Sequence, residues 1–374
     1  MRILILNWKD IKHPQVGGAE IIVYELAKRL VRDGHQVTWF CRRFKGSSPT
    51  DSVDGINIVR QGNLVTMYLL APVHYWTLKI KPDLVIDMSN TIYWQTPLWA
   101  WKSKKIAYLN QLAKEVFFYE YSWPLAIFGY LVERFQYLTY LHIPFLCYSQ
   151  GTSQDLIQVG INPRHIKIFP LGLDLARYAP GTKSATPLFI AVNRLVKMKR
   201  TDLIIQAMYL LTNKYPTVKL VIVGTGYERQ NLERLRDKLK LQDTVEFTDK
   251  DTWFFSKNAK DRKLLLMQQA WALIIPSVKE GWCMTVTECA ACGTPTIATA
   301  VTGLTDSVLN GKTGILVSAN PTPAELADVM EKIIVDKNLR QKLSKQALTY
   351  SHMFTWERSY RQFWHAIRVI LSER

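Results

Sequence analysis

Two carboxylates stand out by their setting in PSVKEGWCMTVTECAACGTPTIAT, residues 276–299. Glu280 lies in a loop after an apolar strand pattern. Glu288 lies eight residues on, in the first turns of a helical pattern near Val286–Ala291. A loop carboxylate can hold sugar hydroxyls, and a carboxylate on a helix can accept from ribose hydroxyls. Gly281 lets the backbone approach a ligand, and the unpaired N–H groups at a helix start favour phosphate. The plainer reading is a strand–turn–helix with two solvated glutamates, and the spacing alone leaves both open.

Arg194 and Lys199, in AVNRLVKMKR, follow another apolar run. Two cations at a strand end can neutralise a diphosphate leaving group, or they are simply a basic loop. Gly17-Gly18 directly precedes a helical pattern and could admit a phosphate or sugar to its N-terminus, or be a plain loop pair. Gly224-Thr225-Gly226 lacks the third glycine of a dinucleotide fingerprint, since Arg229 stands there, which disfavours hydride transfer.

The elements that would carry these residues alternate. Strands are expected at Arg2–Leu6, Gln36–Cys41, Leu84–Asp87, Lys105–Leu109 and Phe145–Ser149, with a helix at Ala19–Asp33 closed by Gly34. The plan restarts with strands at Leu188–Val192, Lys219–Val223, Val245–Thr248, Ala272–Pro276 and Thr296–Ala300, with helices near Thr201–Lys214, Glu228–Lys240 and Val286–Ala291. Such alternation predicts an α/β chain of two doubly wound parallel sheets, with ligands beyond the carboxyl ends of the strands. Pro180, Gly181 and Pro187 mark the boundary, and Met353–Arg374 reads as one amphipathic helix.

Composition sets the bounds. The 374 residues suit two domains, and 12 Trp, 17 Tyr and 14 Phe exclude disorder. The net charge of +17 favours anionic partners. No zinc spacing, arginine-rich arm or nucleic-acid motif accompanies it, so nucleic acid is not expected. Five cysteines without a paired framework point to a reducing compartment. The start MRILILNWKD has no signal-peptide shape, and no apolar stretch reaches spanning length. The expected location is cytoplasmic, with the inner face of the cell membrane still open.

Together these residues resemble glycosyltransferase family 4, a family of retaining enzymes with the GT-B fold. The resemblance rests on Glu280-x7-Glu288 with Gly293-Thr294-Pro295, the paired cations Arg194 and Lys199, Gly17-Gly18, Gly311-Lys312-Thr313-Gly314 with Ile315-Leu316-Val317, and Phe354-Thr355-Trp356. Ser89-Asn90-Thr91 and Gln111–Glu115 are similar to one bacterial and archaeal branch. The implied fold has two facing Rossmann-like domains: 1–178 on the acceptor side and 179–353 for the nucleotide sugar. A helix over 354–374 crosses back to the first.

The resemblance implies that Arg194 and Lys199 bind the donor diphosphate, Glu288 the ribose and Glu280 the donor sugar. The backbone of Trp282, Cys283, Met284 and Thr285 would line the sugar and phosphate pocket. It also implies retention of anomeric configuration without a metal ion or cofactor. The partners implied are a sugar nucleotide and a glycan or lipid-linked acceptor. Two departures stand out. Asn110 occupies a position where the family often has a donor-contacting histidine, and an amide cannot carry a proton. This leaves a second expectation, a sugar-nucleotide-binding protein with weak or no turnover. Cys283 stands where many relatives have glycine; it would narrow the pocket or be a small buried residue.

On the acceptor side, FFYEYSWPLAIFGYLVERFQYLTYLH, residues 117–142, is dense in aromatics. It is either a large core helix or a surface resting on an anionic membrane, with Lys102, Lys104 and Lys105 nearby and Leu98–Trp101 adding aromatics.

Overall fold

The computed structural model describes residues 1–89, 91–248 and 257–372, without the side chains of 257–261. Asn90 of the 89–91 motif and residues 373–374 of the tail lie outside the described residues. The chain forms two compact units. The first comprises Met1–Lys114, Ile127–Gly172 and Trp356–Arg374, and the second Glu115–Ala126 and Leu173–Thr355. Residues 115–126, read from sequence with the first domain, thus group with the second. The last helix groups with the first unit.

The strands of the first unit are β1 (Arg2–Leu6), β2 (Gln36–Cys41), β3 (Thr50–Val53), β4 (Ile56–Arg60), β5 (Leu84–Ser89), β6 (Lys104–Leu109), β7 (Phe145–Cys147) and β8 (Ile166–Ile168). They form one sheet in the order β3-β4-β2-β1-β5-β6-β7-β8, parallel except for the β3–β4 pair. Ile3 pairs with Val37 and Leu84, so β1 lies at the centre. α1 (Gly18–Arg32) follows β1, and α2 (Met67–Thr77) follows β4. α3 (Val116–Glu120) and α4 (Trp123–Gln136) follow β6, and α5 (Gln150–Gln158) follows β7.

The second unit has β9 (Leu188–Val192), β10 (Lys219–Val223), β11 (Val245–Phe247), β12 (Ala272–Ile275), β13 (Thr296–Thr299) and β14 (Gly314–Val317), ordered β11-β10-β9-β12-β13-β14 and all parallel. Its helices are α6 (Thr201–Thr212), α7 (Arg229–Lys238), α8 (Lys257–Gln269), α9 (Met284–Ala291), α10 (Leu304–Ser307), α11 (Pro323–Val335) and α12 (Lys337–Ser351). Phe189, Leu220, Ile274 and Ile297 of four neighbouring strands share one core with Ile204, Met208, Leu326 and Met330 of α6 and α11. Burial on both faces explains the continuous apolar runs of these strands.

α13 (Trp356–Ser372) belongs to the first unit, where it meets α1. Glu357 bridges Arg29 at 3.1 Å and Arg32 at 3.0 Å, and the Tyr360 hydroxyl donates to Asp33 at 2.7 Å. A Cβ on Gly172 would lie 2.1 Å from the Trp356 ring, so only glycine admits that ring.

Two loops set the backbone near the candidate residues. In the first unit, the loop after β1 is anchored by Asp10, fully buried, which accepts from Arg60 Nε at 2.7 Å and Nη2 at 3.0 Å. His13 is buried in the same loop; its Nδ1 accepts from the Gln15 N–H at 3.0 Å, and Arg42 lies 3.3 Å from Nε2. Burial, then the charges of Arg42 and Lys9, hold its pKa down at about 4, with Asp10 opposing. In the second unit, Cys283 caps α9 in the left-handed region at φ +70°. A side chain there costs roughly 1–2 kcal/mol relative to a right-handed conformation.

Two outcomes follow from these loops. A His whose folded pKa lies below its unfolded value of 6.5 lends stability above that value and loses it as pH falls toward about 4. The urea midpoint should therefore drop between pH 6.5 and 4, and His13→Gln should make that drop smaller, with His35 and His74, also held low by burial, contributing the rest. Cys283→Gly should raise stability by about 1 kcal/mol in the same assay, because it relieves the left-handed backbone.

Candidate functional site

The turn after β9 and the loop after β12 lie side by side in the second unit, joined by the Val278 N–H donating to the Met198 carbonyl at 2.9 Å. Each carries one member of an ion pair, Lys199 and Glu280, 9 % and 8 % exposed. Ser277 Oγ donates to the same Glu280 oxygen at 2.8 Å. The Glu280 N–H donates to the Thr302 carbonyl at 3.2 Å. That contact needs Gly303, since a Cβ there would lie 2.1 Å from the Glu280 carbonyl oxygen.

Arg200, next to Lys199, has a left-handed backbone at φ +48°. Its guanidinium donates to the carbonyls of Pro276 at 2.5 Å, Ser277 at 3.1 Å and Ala319 at 2.8 Å. These bonds tie the two loops together, and burial holds the guanidinium below its usual pKa. Arg194 is exposed, and its side chain has no ion-pair partner among the described residues. The Gly224-Thr225-Gly226 turn packs against this loop. A Cβ on Gly224 would meet the Asn193 carbonyl at 1.9 Å, and one on Gly226 the Leu195 carbonyl at 2.1 Å. Those glycines thus support the loop bearing Arg194, a role that spacing did not reveal.

Glu288 is buried on α9, where Oε1 accepts from the Tyr178 hydroxyl at 2.9 Å and Oε2 from Lys263 Nζ at 2.7 Å. Burial, with the nearby Glu288 charge, pushes the Tyr178 hydroxyl well above its usual pKa. Gly281, Trp282 and Cys283 lead into α9, whose first N–H groups, at Met284 and Thr285, have no acceptor within the helix. Trp282 stacks edge-on with Phe354 at 5.3 Å. Its indole N–H and the Asn193 amide Nδ2 are buried without a partner among the described residues, which suits them to ligand or water oxygens. Cys283 is partly buried, and burial pushes its thiol up. A cluster of cation, carboxylates and free N–H groups such as this can hold a phosphorylated sugar.

Gly17, Gly18 and Asn110 lie in the first unit. Gly17 is extended, at φ −134°, and its N–H donates to the buried Glu20 at 2.7 Å, closing the start of α1. Asn110 follows β6. Its Oδ1 accepts from the Tyr148 hydroxyl at 2.7 Å, and its Nδ2 donates to the Ser89 carbonyl at 3.4 Å. Among the described residues, no group of three or more His, Cys, Asp or Glu is placed to hold a metal ion.

The 117–142 segment is not a core helix throughout. On α4 the polar Glu133 and Gln136 are buried: Glu133 accepts from the N–H groups of Ala113 at 2.6 Å and Lys114 at 2.8 Å, and Gln136 from that of Tyr93 at 2.8 Å. Phe128, Phe135 and Leu138 are 67 %, 60 % and 63 % exposed. α2 is exposed at Leu69 and Trp76, and Trp101 is exposed too. Sequence reasoning missed Tyr178, Lys263, Ser277, Arg200 and Gly303. Arg200 stood beside Lys199 in the basic run, and Gly303 had the signal of a lone glycine after a strand; the others gave none.

The family model described as Glycosyltransferase Family 4 matches residues 16–177, and the one described as Glycosyl transferases group 1 matches 176–349. D-inositol 3-phosphate glycosyltransferase of Corynebacterium jeikeium is 26% identical over 227 residues, covering 55% of this chain and 52% of that protein. The chain thus spans about half the length of that relative. The gpi3 subunit of phosphatidylinositol N-acetylglucosaminyltransferase from Schizosaccharomyces pombe is 23% identical over 370 residues, covering 93% of this chain and 76% of that protein. Among solved structures, sucrose-phosphate synthase from Thermosynechococcus elongatus has a TM-score of 0.80 at 19% identity, with 100% of both chains covered. Anabaena HepE in complex with UDP-glucose has 0.76 at 17%, covering 99% and 100%. Two abutting family models and a shared fold over the whole length lead to one conclusion: the chain belongs to glycosyltransferase family 4, with the GT-B fold.

Proposed function

We propose that the protein transfers a sugar from a nucleoside-diphosphate sugar to a glycan or lipid-linked acceptor, with retention at the anomeric carbon and without a metal ion or other cofactor. The observation that carries this reading is the buried Lys199–Glu280 pair in the loops next to α9. Arg194, Lys199 and the first N–H groups of α9 oppose the charge that develops on the departing diphosphate. Glu280 holds donor hydroxyls, and Glu288 the ribose. The acceptor oxygen forms its bond to the anomeric carbon on the face from which the phosphate oxygen leaves, and the acceptor proton passes to that oxygen. The complex of HepE with UDP-glucose supports a nucleotide-sugar donor.

The exposed apolar face of α4, with Leu69, Trp76 and Trp101 also exposed in the first unit, supports docking at the cytoplasmic face of the membrane. Among the described residues no helix is long and apolar enough to cross a membrane. A second reading, binding of the sugar nucleotide with little turnover, is favoured by Asn110, whose amide is tied to Tyr148 and Ser89 and carries no titratable proton.

Incubated with a panel of sugar nucleotides, the protein should release the nucleoside diphosphate from one of them. Glu280→Gln should cut that release by about a hundredfold, the scale of losing one preorganised polar group, with the circular dichroism of a folded chain kept and the melting temperature lowered because Lys199 loses its buried partner. Normal turnover in that variant removes Glu280 from the site. Donor binding without product, with turnover gained by Asn110→His, establishes the second reading instead. In co-sedimentation, the protein should bind phosphatidylglycerol vesicles more than phosphatidylcholine ones, and the double variant Phe128→Ser/Phe135→Ser should lose most of that binding. Equal recovery in the supernatant for both lipids ends the membrane proposal.

A further inference from the structure

The Lys199–Glu280 pair is held from outside its own loops. α3 is inserted in the chain between β6 and β7 of the first unit, yet it groups with the second. The carboxylate of Glu120, its last residue, accepts from the Met198 N–H at 2.7 Å. Its other oxygen accepts from the Tyr227 hydroxyl. That hydroxyl in turn accepts from the Lys197 N–H at 3.3 Å. At the start of α3, Glu115 lies 3.5 Å from Lys279 Nζ, a side chain only 2 % exposed. Met198 and Lys279 each directly precede a member of the pair.

We propose that α3 acts as a strap that sets the Lys199–Glu280 pair, with Glu120 and Glu115 as positioning residues for the donor. Two further facts locate the control at Glu120. The far side of the turn after β9 is fixed by Arg200 and its three carbonyl partners. The near side, Val196–Lys197, borders a cavity of about 440 Å³ that Tyr119, Thr201 and Asp202 also line. Beside that opening the Glu120 carboxylate adds a tie from outside the turn to the turn's own backbone bonds at Lys199 and Arg200. A phosphate-binding ammonium displaced by about 1 Å is enough to lose up to a hundredfold in rate. The Tyr227 contact also links the turns after β9 and β10, so one carboxylate serves both.

The inference rests on the sugar-nucleotide reading above, and its test separates the two. UDP, GDP and ADP are titrated calorimetrically into the full-length chain, and donor KM and kcat are measured with the sugar nucleotide that turns over. Glu120→Ala should weaken binding of the preferred diphosphate about tenfold and raise donor KM more than it lowers kcat, the scale of losing hydrogen bonds to a charged group. Glu120→Gln keeps an acceptor for the Met198 N–H and should restore most of the binding; a purely ionic role would not give that rescue. Glu120→Ala binding as tightly as the parent, or Glu120→Gln binding as weakly as Glu120→Ala, overturns the strap. If Glu120→Ala does not fold, Tyr227→Phe carries the test: weaker binding supports the strap and unchanged binding overturns it. A parent that binds none of the three diphosphates defeats the donor reading, and the strap with it.

Discussion

The second unit depends on placing an ammonium and a carboxylate where each is only about a tenth exposed. Removing either charge from water costs several kcal/mol, and the pair offsets that only with close geometry and further hydrogen bonds. The surroundings supply both. Ser277 adds a donor to Glu280, Gly303 lets a neighbouring turn approach its backbone, and Arg200 fastens both loops through carbonyl oxygens. Each of these lies at the carboxyl end of a parallel strand, where side chains from separate crossovers converge.

Legibility from sequence followed the range of the interactions. β1, β2, β9 and β10 have the bounds that their apolar runs suggest, because a strand buried on both faces has no other composition available. The β3–β4 hairpin and α2 were not read. β3 is a polar strand, TDSV, and α2 carries Pro72 in its interior, which disguises the helical pattern. Glu280 and Glu288 were legible as a spaced pair, but their partners were not. Tyr178 lies 110 residues from Glu288, and Lys263 lies 25 from it. No local pattern encodes contacts of that span. Glu120 was hidden for the same reason, inside a segment dominated by its aromatics.

α4 inverts the usual order of a surface helix. Its buried polar residues satisfy backbone N–H groups at the 93 and 113–114 turns, which would otherwise be orphaned. The apolar residues are therefore free to face outward. Reading 117–142 as either core or surface by hydrophobicity alone missed this division of labour, in which position on the helix decides and composition does not.

The first unit is assembled from three stretches of chain, and the last of them, α13, follows the whole of the second unit in sequence. On a ribosome, the sheet of the first unit is synthesised long before Glu357 and Tyr360 can reach Arg29, Arg32 and Asp33. The amino-terminal sheet must therefore wait, with one flank uncovered, while the carboxyl-terminal sheet is made. Until α13 is made, Phe169 lacks the Phe363 ring that packs edge-on against it at 5.3 Å.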